Sequence, residues 1–64
     1  MCEANAYVVR RGKEELLMES VDVVRTEGDR IFVQNIFGEQ GWVRGRIKEM
    51  QLVQHRIVLE QIEP

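Results

Sequence analysis

Val21-Asp22-Val23-Val24-Arg25-Thr26-Glu27-Gly28-Asp29-Arg30-Ile31-Phe32-Val33-Gln34-Asn35 decides the fold. Two runs rich in Val, Ile and Phe flank Gly28-Asp29. β-Branched and aromatic side chains fit a pleated, half-buried surface, so such runs read as strands. Glycine supplies the positive φ that a tight hairpin turn needs. The stretch therefore predicts strands over 21–25 and 30–35, joined by a short turn.

The same pattern continues outward. Tyr7-Val8-Val9 is a short strand bounded by Arg10-Arg11-Gly12. Ile36-Phe37-Gly38-Glu39-Gln40-Gly41 reads as a second connection, and Trp42-Val43-Arg44 as a strand that Gly45 ends. A further strand is expected over 47–53, then a turn at Gln54-His55 into a strand over 56–60. Glu14, Glu15, Leu16, Leu17 and Met18 are good helix formers. A lone helix over 13–20 would be marginal in water, so this segment also reads as a strand. The alternation places Ile57 and Leu59 on one face of the last strand, with Arg56, Val58 and Glu60 on the other. Cys2, Ala4, Ala6 and Val8 share one face if the first strand starts that early. The expected class is all-β, a small SH3-like or OB-like barrel or roll of five to seven short strands.

With 64 residues the chain is one domain, 1–64, without internal repeat or linker. Hydrophobic residues at 44% and charged residues at 31% suit a globular chain rather than a disordered one. A domain of this size buries only about 60% of the surface that its unfolded chain exposes. Natural reinforcements are a disulfide, a metal or a partner subunit. One cysteine cannot form an internal disulfide, which leaves a metal, an oligomer or an unusually good core. No stretch approaches the roughly 20 apolar residues of a membrane helix. The first residues lack the features of a signal peptide, so the expectation is a reducing, cytoplasmic setting.

Cys2 is the most informative residue. Most free cysteines are small buried hydrophobes. At position 2, however, the thiol lies within chelating reach of the α-amine and a backbone amide nitrogen. This holds whether Met1 is kept or removed. Soft sulfur with strong-field nitrogen suits Ni(II) or copper ions better than Mg²⁺ or Ca²⁺. One terminus offers two or three donors, and a two-fold axis would double them, so the expectation is a homodimer sharing the site. Exposed strand edges, or an apolar patch around Trp42 and Phe37, are the candidate interface. His55 is a weaker metal candidate, since histidine at a turn is usually solvated and no other Cys or His stands at a motif spacing. Glu3 is a possible oxygen donor or supporting partner.

No catalytic constellation appears, so the chain reads as a non-enzyme. The glycines lack a phosphate-binding signature. An alternative function is an RNA-binding module. Trp42, Arg44, Arg46 and Lys48 share parity on one strand and would offer stacking and cationic groups. Nine basic against eleven acidic residues is a poor footprint for that partner, so nucleic acid is possible but not favoured.

The Met1-Cys2 start, the strand Ala6-Tyr7-Val8-Val9 and the run Val21-Asp22-Val23-Val24-Arg25 with Glu27-Gly28 resemble the CooT family of small nickel-binding proteins. Ile36-Phe37-Gly38-Glu39, Gly45-Arg46-Ile47 and Ile57-Val58-Leu59 extend the resemblance over nearly the whole chain. The resemblance implies a homodimer of SH3-like β-domains that binds Ni(II) through the cysteine after the initiator methionine, here Cys2. It also implies a nickel chaperone or delivery role toward a recipient nickel enzyme, such as carbon monoxide dehydrogenase, or toward a maturation factor. His55 is the only histidine, so the chain lacks the His-rich tract of a dedicated nickel store.

Overall fold

A computed structural model describes residues 3–62 of the chain. Five strands form a closed barrel: β1 (Ala4–Arg10), β2 (Lys13–Glu27), β3 (Arg30–Asn35), β4 (Gln40–Gln51) and β5 (Arg56–Gln61). Consecutive strands pair antiparallel, and β1 and β5 close the ring in parallel. Each strand has two neighbours, so no whole strand is left as an edge for another chain to extend. Free edge remains only along half-strands: β2 meets β1 with its first half and β3 with its second, and β4 likewise meets β3 and then β5.

The deciding stretch folds as read. The second half of β2 pairs with β3 from Val21↔Asn35 to Glu27↔Arg30, across a turn in which Gly28 has φ 63°. Residues 13–20 are strand as well. They join the next run without a break, making β2 15 residues long. The strand changes course at Ser20, a non-glycine residue at φ 57°, and the register shifts on both flanking ladders there. A bulge of this kind lets one long strand serve two neighbours: its first half pairs with β1 and its second with β3.

Two boundaries differ from the sequence reading. Gly45 does not end a strand, since β4 runs unbroken through it. A β-carbon at Gly45 would lie 2.9 Å from the Glu60 carbonyl carbon and 3.1 Å from the Gln61 Cα, and would overlap the Glu60 carbonyl oxygen. This glycine is there for close backbone approach, not for a turn. The strand expected over 47–53 stops at Gln51, so Leu52 and Val53 lie in the turn to β5.

Inward-facing positions build the core. Ala6, Val8, Val21, Ile31, Val33, Val43, Ile57 and Leu59 are buried together, with Ala4, Leu17, Met18, Val24 and Ile47 packed against them. Ile57 and Leu59 alternate inward as expected. Val58 is buried too, on the opposite face, between Tyr7 of β1 and Glu49 of β4. Outside, Arg56 lies 4.5 Å above the Tyr7 ring and pairs with Glu14. The first strand presents Ala4, Ala6 and Val8 to the core as predicted, whereas Cys2 falls outside the described residues.

Candidate functional site

The start of β1 is fixed by backbone hydrogen bonds. The Asn5 amide donates to the His55 carbonyl at 2.9 Å, and the Asn5 side-chain Oδ1 accepts from the Ser20 amide at 3.3 Å. The Ser20 carbonyl in turn accepts from the Ile36 amide at 3.0 Å. This chain of bonds joins four pieces of structure: the β4–β5 turn, the first residues of β1, the bend in β2 and the β3–β4 loop. Ala4, the second residue after Cys2, is thus held between two connections of the barrel.

Both connections carry exposed apolar side chains. Leu52 and Val53 are 82% and 92% exposed in the β4–β5 turn. Ile36 and Phe37 are exposed in the β3–β4 loop. Beside the turn, Ala4, Met50, Leu52, His55 and Ile57 border a mainly apolar pocket of about 350 Å³. The sequence reading confined the turn to Gln54-His55 and placed Leu52 and Val53 in the strand before it, so it missed that these two project from the turn. Leu52-Val53 between Gln51 and Gln54 was the available signal.

The β3–β4 loop is rigid by design. Asn35 is the buried polar residue of the barrel, 3% exposed. Its Oδ1 accepts from the amides of Phe37 at 3.0 Å and Glu39 at 2.9 Å, and its Nδ2 donates to Glu39 Oε1 at 2.6 Å. One side chain thereby satisfies two loop amides that no strand partner reaches. Asn35→Ala should cost roughly 1–3 kcal/mol. It should also speed hydrogen exchange at Phe37 and Glu39 while leaving the β1–β5 amides protected. A lower urea midpoint together with that localised exchange is the expected result.

The candidate metal residues fall as follows. Cys2 lies outside the described residues. Glu3 is exposed just before β1. His55 is exposed in the β4–β5 turn at φ 55°, with its carbonyl bonded to Asn5. Among the described residues, no group of three or more His, Cys, Asp or Glu is arranged to hold a metal ion.

The residues of the RNA reading lie along the exposed side of β4 and are largely engaged within the molecule. Trp42 packs on Phe32, with ring centroids 5.1 Å apart and planes tilted by 57°. The Arg30 guanidinium lies 5.0 Å from the Trp42 ring centre, and Arg25 lies 4.7 Å from that of Phe32. A cation and an aromatic neighbour thus crowd the Trp42 ring, which is still 49% exposed. Arg44 pairs with Asp29 at 3.0 Å and Arg46 with Glu60 at 2.7 Å. Lys48 sits at the register shift of β4 between Ile47 and Glu49. Of the interface patch expected around Trp42 and Phe37, Trp42 lies on β4 against Phe32 and Phe37 lies in the β3–β4 loop, both exposed. Among the described residues, no helix is long and apolar enough to cross a membrane.

Comparison with known proteins agrees with this architecture. The family model of the CO dehydrogenase accessory protein CooT matches residues 1–60. The crystal structure of a protein assigned as CooT from Carboxydothermus hydrogenoformans superposes with a TM-score of 0.86 at 40% sequence identity. That match covers 97% of this chain and 100% of the other. An uncharacterized protein of Methanocaldococcus jannaschii is 33% identical over 60 residues, covering 94% of this chain and 98% of its own. A second uncharacterized protein, from Archaeoglobus fulgidus, is 44% identical over 43 residues, covering 67% of this chain and 96% of its own. The match spans the strands, the connections and the Met1-Cys2 start, and on it the chain belongs to the CooT family of CO dehydrogenase accessory proteins.

Proposed function

We propose that the chain is a nickel-binding accessory protein that works as a homodimer. Two Cys2 thiolates, one per subunit, hold Ni(II), with terminal or backbone nitrogens completing a roughly square-planar site. The protein is a carrier rather than a catalyst. The metal is its cargo, received in the cytoplasm and passed to carbon monoxide dehydrogenase or to a maturation factor of that enzyme. The observation that carries this reading is the family match, which begins at residue 1 and so takes in Met1-Cys2. The chemistry of the donors agrees, since thiolate with amine or amide nitrogen favours Ni(II) over hard cations.

The barrel supports the doubling. Met50, Leu52 and Val53 expose apolar surface where the β4–β5 turn holds the start of β1. The turn from Leu52 to His55 contains no Asp, Glu, Lys or Arg. A two-fold axis sets a patch against its own copy, so a turn free of like charges suits self-association; Arg56, which also lines the pocket beside it, is paired with Glu14. A copy docked there would bring two chain starts together. This patch replaces the pairing of Trp42 with Phe37 as the proposed interface.

Titration of Ni(II) into reduced, anaerobic protein should saturate at one metal per two chains, read by thiolate-to-nickel absorbance. Val53→Lys should shift the apparent mass by sedimentation from dimer to monomer at tens of micromolar, a concentration suited to a modest interface of roughly micromolar affinity. Saturation at one metal per chain, or a Val53→Lys dimer as tight as the parent, would refute the shared site on this patch.

A further inference from the structure

A second surface differs from the neutral turn in its charge and in its construction. Leu16, Leu17, Met18 and Glu19 of β2 face the β3–β4 loop across a groove of about 430 Å³, with Phe37 and Glu39 on the opposite bank. Its lining mixes these apolar side chains with Asn35 and Gln40, and carries two carboxylates and no Lys, Arg or His. Phe37 is 75% exposed, yet it stands in the loop that buried Asn35 holds by three hydrogen bonds. An exposed aromatic on a fixed backbone loses little freedom when it is covered, which is the mark of a binding anchor. A second copy of this chain is a poor occupant, since a two-fold axis through the groove would bring Glu19 and Glu39 toward their own copies.

We infer that this groove docks a segment of the recipient protein in which apolar side chains flank a lysine or arginine. The apolar residues cover Phe37, Leu16 and Met18, and the cation meets the Glu19 and Glu39 carboxylates. Opposite charge steers the encounter and fixes the register, while the buried aromatic supplies affinity. The groove is assembled from β2 and the β3–β4 loop, so it does not use Cys2. Its assignment to the recipient rests on the accessory role proposed above, although its chemistry does not.

The test measures binding of the full-length chain to purified apo carbon monoxide dehydrogenase by biolayer interferometry. Glu19→Arg and Phe37→Ser are the probes. Glu49→Arg on β4 is the control for an equal change of charge outside the groove. The expected result is a tenfold or greater loss of affinity for each probe, less than threefold for the control, and unchanged nickel stoichiometry in all three. Equal binding by probes and parent would overturn the proposal. If the parent does not bind the enzyme, a fluorescein-labelled peptide of alternating Leu and Lys, compared with its Leu and Glu counterpart, decides the matter. Binding of the Leu/Lys peptide that both probes weaken would keep the groove and discard this recipient. No preference between the peptides would discard the groove. Conversion of the dimer to monomer by Phe37→Ser would assign the groove to a second copy instead and overturn the inference.

Discussion

Gly45→Ala should unfold the domain, or bring it to the edge of unfolding, at room temperature. The added methyl group would meet the Glu60 carbonyl group and the Gln61 backbone, where no rotamer change can make room. Overpacking against side chains costs about 1–3 kcal/mol, and against backbone the cost lies at or above the upper end. Relief would have to part β4 from β5 at the Gly45↔Gln61 pair. Two hydrogen bonds flank that point, from the Gly45 amide to the Asp29 carbonyl at 2.7 Å and from the Ile62 amide to the Arg44 carbonyl at 2.8 Å. A domain of this length rarely has more than about 3–5 kcal/mol of stability from its core, so the loss is a large part of the whole. Gly41→Ala is the matched control. Its β-carbon would rest 3.6 Å from Val33 Cγ2 and 3.7 Å from Met18 Cε, ordinary contact distances. Urea unfolding followed by far-ultraviolet circular dichroism should show Gly41→Ala within about 1 kcal/mol of the parent. Gly45→Ala should show little or no folded baseline. Equal midpoints for the two variants would mean that the β4–β5 approach is looser than described.

Cys2→Ser should abolish thiolate-to-nickel absorbance and lower Ni(II) affinity by more than about 100-fold, since even the outer partners of a metal ligand are worth 10–100-fold. Serine keeps the approximate size and the backbone nitrogens but replaces the thiol with a hydroxyl, which stays protonated at neutral pH. The fold should be unchanged, because the buried cluster among the described residues draws on all five strands. Nickel affinity of the parent should fall as pH falls. A free thiol ionises near 8.5, so below that value each bound thiolate has displaced a proton. Two thiolates per metal give a decline approaching about 100-fold per pH unit, and one gives about tenfold. Calorimetric titrations at three pH values would separate a shared site from a single-chain one. A pH-independent affinity, or a serine variant that binds as well as the parent, would remove the thiolate site.

These two positions show how unevenly the sequence speaks. Gly45 was legible as a special residue, but its reason was not. A glycine between Arg44 and Arg46 looks the same whether it breaks a strand or lets another backbone pass close by. Only the approach of Glu60, 15 residues along the chain, distinguishes the two. Asn35 gave no warning either, because its role depends on a loop whose amides lack strand partners. The basic parity of Trp42, Arg44 and Arg46 was real. What the sequence did not contain was the cross-strand register that sets Phe32 against Trp42 and Glu60 against Arg46.

By itself the sequence determined the local conformations. β-Branched runs made strands, Gly28 made the hairpin turn, and inward alternation selected Ala6, Val8, Ile57 and Leu59 for the core. It also pointed to Cys2 as the nickel ligand proposed here, because a thiol beside a terminal amine would form a donor set in any fold. These are properties of neighbours in the chain, with periods and spacings of a few residues. The tertiary structure decided everything that depends on distant pairs. It closed β1 on β5 in parallel and bent β2 at Ser20 so that one strand serves two neighbours. It joined the start of β1 to the β4–β5 turn and set Phe37 across a groove from Glu19. Register and closure arise from packing summed over the whole barrel, and no short window of residues carries that sum.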